Sequence, residues 1–265
     1  MAFGLKINTT NGERLLDNQF MLPEFVGKVY INPTPSYDYI STNSHNNAAG
    51  VYRTRNYDFA AGQGIEALAG PLAGRNFMIF WKYPDTGAAD LWWNTYYFGA
   101  MNLFSKNASP PSLPIGYVFA VGHAVASNAQ FGMRYWNDAG TLMFDSGNRQ
   151  LQPYSVATGM NFDMTTINTV QPPMPAAPGF LQPVCYFISD VRQASSDEYP
   201  NSGQFNYMYA NGGIRRNGPY IQSFMPMTEK YDYSGVSEPN NWSDNAFFGS
   251  TTGLVMPIID CSIYD

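Results

Sequence analysis

Two groups of carboxylates have the residue types for acid–base chemistry: Asp197-Glu198 in SSDEYPNSG, and Glu229 with Asp232 in EKYDYSG. A glycosidase needs two such acids across the scissile bond, roughly 5–9.5 Å apart. Both stretches read as loops, where neighbouring acids ordinarily stay in solvent, so the acids alone do not make a hydrolase. Metal ligands would come from His45, His123, Cys185 and Cys261, and none of these stands at ligand spacing. His45 belongs to a polar loop and His123 to the end of a strand. Each cysteine sits in an apolar, strand-like run (PVCYFIS and PIIDCSIYD), which predicts a buried free thiol and no accessible nucleophile. No nucleophile elbow and no phosphate loop is present; GQGIEALAG lacks the lysine and the preceding strand. No acidic loop has calcium-site length. The expectation is a protein with no catalytic residue, no metal and no cofactor.

What remains is recognition. Aromatic rings stack on sugar faces while Asn, Asp and Gln hydrogen-bond to hydroxyls, the logic that also places Tyr and Trp at interfaces. NNWSDNAFFG (240–249), EYPNSGQFNYMY and SYDYISTNSHNN combine these types. Trp92, Trp93, Trp136, Trp242 and Tyr207 are the candidate contacts, with subunits or with glycan.

The elements that must carry these residues are β-strands. Of 265 residues 45% are hydrophobic and 16% aromatic, with 24 Gly and 19 Pro. Asn, Gly and Pro disfavour helix interiors, while Tyr, Phe, Val and Thr suit a pleated surface. Charged residues reach only 13%, about half the usual share of roughly 25%. Lysine is scarcer than arginine, which suits a surface covered in an assembly. The net charge of −6 and the lack of a basic run argue against nucleic acid. No secretory signal opens the chain and no apolar run is long enough to span a bilayer. The expected product is soluble and made in a cytoplasm.

One pattern occurs twice. FGLKINTTNGERLLDN (Phe3–Asn18) aligns without a gap on FGMRYWNDAGTLMFDS (Phe131–Ser146). Phe3, Leu5 and Ile7 alternate with Gly4, Lys6 and Asn8; Phe131, Met133 and Tyr135 alternate with Gly132, Arg134 and Trp136. Turn sequences TTNG and NDAG follow, the second fitting a type I turn. Two hairpins are expected, closing at Gly12 and Gly140 and ending at Asp17 and Asp145. Further strands are predicted at 77–83, 92–104, 115–122, 183–189, 204–212 and 253–265. A polar loop with one or two short strands is predicted at 31–56, and a partial helix at 62–74. Together these predict a mainly β chain, a sandwich or barrel-like fold with long loops and little helix. The repeat suggests a first β domain over 1–128 and a second over 129–265. The proline-rich QPPMPAAPGF, a stiff extended connector, offers residues 172–178 as an alternative linker.

GLKINTTNGERLLDN, and YVFAVG followed by FGMRYWNDAGTLMFDSGNRQL, resemble a group of small tailed-bacteriophage proteins. Their members open with Gly-Leu-x-x-x-Asn-x-x-Gly and repeat Tyr-Gly-Leu-x-x-x-Asn-x-x-Gly-x-x-x-Phe-Asp-Ser. The resemblance covers about residues 1–20 and 115–152. Phe131 replaces the group's Tyr, Met133 its Leu, and Thr9 its Asn. It implies a virion structural protein associated with the tail or tail tip, and carries over no functional residue. The expected partners are further copies of the chain and other virion proteins, with host-surface glycan as an alternative and no membrane insertion. Head decoration is a second role within the same structural class, and a glycan hydrolase is the enzymatic reading of the acid pairs.

Overall fold

The computed structural model describes residues 7–8, 14–16, 22–31, 37–40, 51–54, 61–85, 91–96, 100–105, 113–161, 167–181, 205–210, 213–224, 227–233 and 254–265. The chain opens with a hairpin of β1 (Ile7–Asn8) and β2 (Arg14–Leu16), then β3 (Glu24–Tyr30). β4 (Tyr37–Ile40) and β5 (Val51–Thr54) are the two short strands expected in the 31–56 region. A single 3-10 turn, Ile65–Leu68, runs into α1 (Ala69–Leu72), the partial helix read from the sequence. Then come β6 (Asn76–Lys82), β7 (Leu91–Tyr96), β8 (Ala100–Ser105), β9 (Ile115–Val121), β10 (Arg134–Trp136), β11 (Leu142–Asp145), β12 (Pro153–Met160) and β13 (Asn168–Val170). The last strands are β14 (Pro178–Leu181), β15 (Phe205–Ala210), β16 (Gly213–Asn217), β17 (Tyr220–Phe224), β18 (Met227–Tyr233) and β19 (Leu254–Asp260).

The strands form a six-stranded sheet of order β12-β19-β14-β6-β9-β3 and a seven-stranded sheet of order β13-β17-β16-β7-β8-β5-β4. All ladders between these strands are antiparallel. Period two makes both faces of the six-stranded sheet apolar. On one face Val29, Ile79, Trp81, Val118, Met256 and Ile258 pack with Ile214 and Ile221 of the seven-stranded sheet, which is the sandwich core. On the other, Phe80, Tyr117, Phe119 and Ile259 pack under Cys261 and Tyr264, from the chain's last turn. Tyr264 meets Phe119 edge-on at 4.9 Å and Phe25 at 5.2 Å between ring centres. A fully buried side chain of this size contributes about 1.5–3 kcal/mol.

Three sequence readings change. The run 92–104 is two strands, because Tyr96 pairs with Ala100 and the chain folds back. A strand of thirteen residues would be about twice the usual length. EKYDY, read as part of a loop, is strand, since Glu229 and Asp232 lie in β18, opposite Tyr209 and Asn206. Residues 253–265 are strand only to Asp260, whose carboxylate accepts from the Ser262 N–H at 3.0 Å and caps a closing 3-10 turn.

The proline-rich segment leads from β13 in one sheet to β14 in the other, with Met174 against the core and Pro178 and Phe180 buried. It is a crossover within the sandwich. Pro178 is tolerated in a central sheet position because it is the strand's first residue. Gly179 follows because the backbone passes so near Cys261 Sγ and Ile259 Cγ1 that no side chain fits. The six-stranded sheet takes β3, β6 and β9 from before residue 129 and β12, β14 and β19 from after it, so a cut at 128/129 would part strands of one sheet. Among the described residues no helix is long and apolar enough to cross a membrane.

Candidate functional site

Where both repeated stretches are described, at 7–8 and 14–16 and the matching 135–136 and 142–144, they pair alike. In the first hairpin Ile7 pairs with Leu16 and Asn8 with Arg14, the register shifting between them. In the second, Tyr135 pairs with Phe144 and Trp136 with Leu142, with the same shift. These are the positions the gapless alignment equates, so the two copies share register and carry a bulge at Leu15 and Met143. A bulge bends its strand and strengthens the local twist, and it is a retained feature of a unit rather than an accident. Among the described residues each hairpin forms a two-stranded sheet of its own.

In the second hairpin the reasons are visible. Asn137 Oδ1 accepts from the N–H groups of Ala139 (3.1 Å) and Thr141 (2.8 Å), and Asn137 O accepts from Gly140 N at 2.9 Å. This Asx arrangement supports a type I turn whose last residue needs positive φ, supplied by Gly140 at +76°. Gly132 has φ +145° and leaves room only for the Ser146 hydroxyl, which accepts from Met133 N at 2.8 Å.

Asp145 is the anchor. Its carboxylate is 2% exposed and accepts four hydrogen bonds, from Ser127 N (2.8 Å), Ser127 Oγ (2.9 Å), Arg134 Nε (2.9 Å) and Gly147 N (2.8 Å). Burial pushes its pKa upward, but the backbone bonds from Ser127 and Gly147, the Ser127 hydroxyl and Arg134 outweigh it and lower the value to about 2. Arg134 also donates to Ser127 O. Asn148 Nδ2 donates to Val125 O at 2.7 Å, so the strap at 125–129 is tied to the hairpin base. The next residues dock on the six-stranded sheet: Phe25 N donates to Arg149 O (2.8 Å) and Leu151 N to Pro23 O (2.7 Å), covering the β3 edge.

Around this base the hairpin is open, with Trp136 on the turn side of the Arg134–Asp145 pair and Met133 and Phe131 on its other side. Phe131 is 91% exposed, Trp136 51% and Met133 43%. Trp136 is one of the candidate contacts named from residue type; in the sequence Phe131 and Met133 read only as one half of an alternating strand. The strand is shorter than that reading, Arg134–Trp136, and Phe131 to Arg134 are all exposed, so the predicted alternation from Phe131 is not seen in the burial.

Of the other predicted residues, Trp92 pairs with Phe104, Trp93 with Leu103 and Ile214, and Tyr207 with Tyr231. These lie on different ladders, and none joins the second hairpin. Gly4, Gly12, Asp17, Trp242, His45, Cys185, Asp197 and Glu198 lie outside the described residues, as does the predicted strand 183–189. His123 follows β9 by two residues. Cys261 is a buried free thiol whose pKa burial pushes up to about 12. No group of three or more His, Cys, Asp or Glu gathers to hold a metal among the described residues. Compared with protein-family models, curated proteins and solved structures, the chain matches none.

Proposed function

We propose that this protein is a structural component of a tailed-bacteriophage virion, of its tail or tail tip, and that it works by self-association and docking through its hairpins. The observation that carries the reading is the second hairpin, tied at its base through Asp145 and bearing Phe131, Met133 and Trp136 exposed on either side of that tie. Exposed apolar side chains grouped on one small element mark interaction sites, and Trp is among the commonest energetic anchors of interfaces. The matching register and bulge of the first hairpin support a unit used twice. The sequence resemblance to phage tail proteins gives the particle.

Immunogold electron microscopy on particles from the source lysate, with antibody to the recombinant protein, tests this. Label on the tail or its tip is expected. Label on the head moves the protein to head decoration, and unlabelled particles, intact and after mild disruption, refute the virion role. Self-association is tested separately by light scattering, with Phe131→Ser and Trp136→Ser expected to lower the mass.

A further inference from the structure

The chain contains three Asn-Gly pairs, Asn11-Gly12, Asn211-Gly212 and Asn217-Gly218. Such pairs modify themselves. The glycine backbone nitrogen attacks the asparagine side-chain Cγ, its proton passes to the departing amide, ammonia leaves and a succinimide forms. Water then opens the ring to aspartate or isoaspartate. Glycine is the most permissive follower because no Cβ hinders the rotation that brings the nitrogen over Cγ.

Asn217-Gly218 closes the hairpin of β16 and β17. Asn217 pairs with Tyr220, and Gly218 sits at φ +56° in the turn. The attacking nitrogen is already engaged, because Gly218 N–H donates to Asp85 Oδ1 at 2.9 Å. Asp85 comes from a segment distant in sequence and is bridged to the backbone of Arg216. The other face of the turn is held by Arg216 Nε, which donates to Gly218 O at 3.3 Å. Both polar ends of the glycine are therefore pinned, and the peptide plane cannot turn toward Cγ until the Asp85 contact opens.

We propose that Asn217-Gly218 is a latent self-modification site held in check by Asp85. Release would have consequences for the core. Isoaspartate adds a carbon to the backbone and shifts the register of a hairpin whose Ile214 and Ile221 are buried between the sheets. It also places a new carboxylate beside Asp85.

The test is peptide mass spectrometry of the full chain incubated at mildly alkaline pH, scoring deamidation at position 217. Native wild type is expected to convert Asn217 more slowly than the same protein in urea. Asp85→Ala is expected to raise the native rate roughly threefold to tenfold, the range of a lost hydrogen bond. Asp85→Asn keeps an acceptor oxygen and is expected to stay near wild type. Conversion at positions 11 and 211 provides internal references that neither variant should move. Asp85→Ala converting at the wild-type rate overturns the proposal. The native-versus-urea comparison needs no variant, and equal rates there overturn it too.

Discussion

Replacing Asp145 by Ala should release the second hairpin from its base, and the cost can be worked from the site. The carboxylate is 2% exposed and satisfies two backbone N–H groups, a hydroxyl and Arg134. Its pKa falls from 3.8 to about 2, burial opposing the charge and the four donors more than compensating. That difference corresponds to about 2 kcal/mol of stability. Ala also leaves Ser127 N–H and Gly147 N–H without their acceptor, for a total of about 3 kcal/mol, while Asn keeps one acceptor oxygen and should cost about 1–2 kcal/mol. The sign with pH follows from the lowered value. The contribution is complete above about pH 5, where the unfolded carboxyl is ionised, and is lost as pH falls through 3.8 toward 2. Urea unfolding from pH 7 to pH 2 should therefore give a shallower acid slope for Asp145→Ala than for wild type. Hydrogen exchange should speed up first at Ser127 and Gly147. A variant within about 0.5 kcal/mol of wild type, with the same acid slope, would refute the clamp.

Three further outcomes follow from the core. Gly179→Ala should destabilise by about 1–3 kcal/mol, since its Cβ would collide with Cys261 Sγ and crowd Ile259; adding Cys261→Ala should recover part of the loss in thermal unfolding. Glu24→Gln should cost about 3–5 kcal/mol by denaturant unfolding, because Arg75 Nη2, 2.9 Å from Glu24 Oε2 with both side chains almost fully buried, would keep its charge without a counter-charge. The Cys261 thiol, its pKa pushed up to about 12 by burial with the neighbouring Lys and Asp charges secondary, should resist maleimide at neutral pH in the native protein and react once urea is added.

Period two was legible wherever strands were aromatic and bounded by turns, as in FMIFWKY and IGYVFAVG, which became β6 and β9. It failed where burial on both faces erased the alternation or where the strand was short and proline-bearing. EFVGKVY became β3 with a bulge at Val26, and PGFL hid as β14 inside what reads as a connector. Partner choice between sheets was not legible at all, because antiparallel pairing of β14 with β6 and β19 is decided by long-range packing. The hairpin repeat was readable because its turn chemistry is local, through Asn137 and Gly140. The role of Asp145 was readable only as a repeated letter, since its donors at Ser127 and Gly147 depend on the loop fold.

The placement of that buried acid bears on how the hairpin could transmit contact. Asp145 ends β11, and the residues directly after it, Asn148 to Leu151, bond to the 125–129 strap and to the β3 edge. Gln152 N and Gln150 O both bond to the Tyr264 hydroxyl, which packs in the outer aromatic cluster. A load applied at Phe131 or Trp136 would therefore pass through the Asp145 carboxylate into a sheet of six strands rather than into a loop. A flexible tether would lose ordering entropy on every contact, whereas an element fixed beforehand does not. On this argument Asp145→Asn, with Phe131 and Trp136 untouched, should weaken the self-association proposed above, as read by light scattering. Association unchanged in that variant would separate the hairpin's surface from its base.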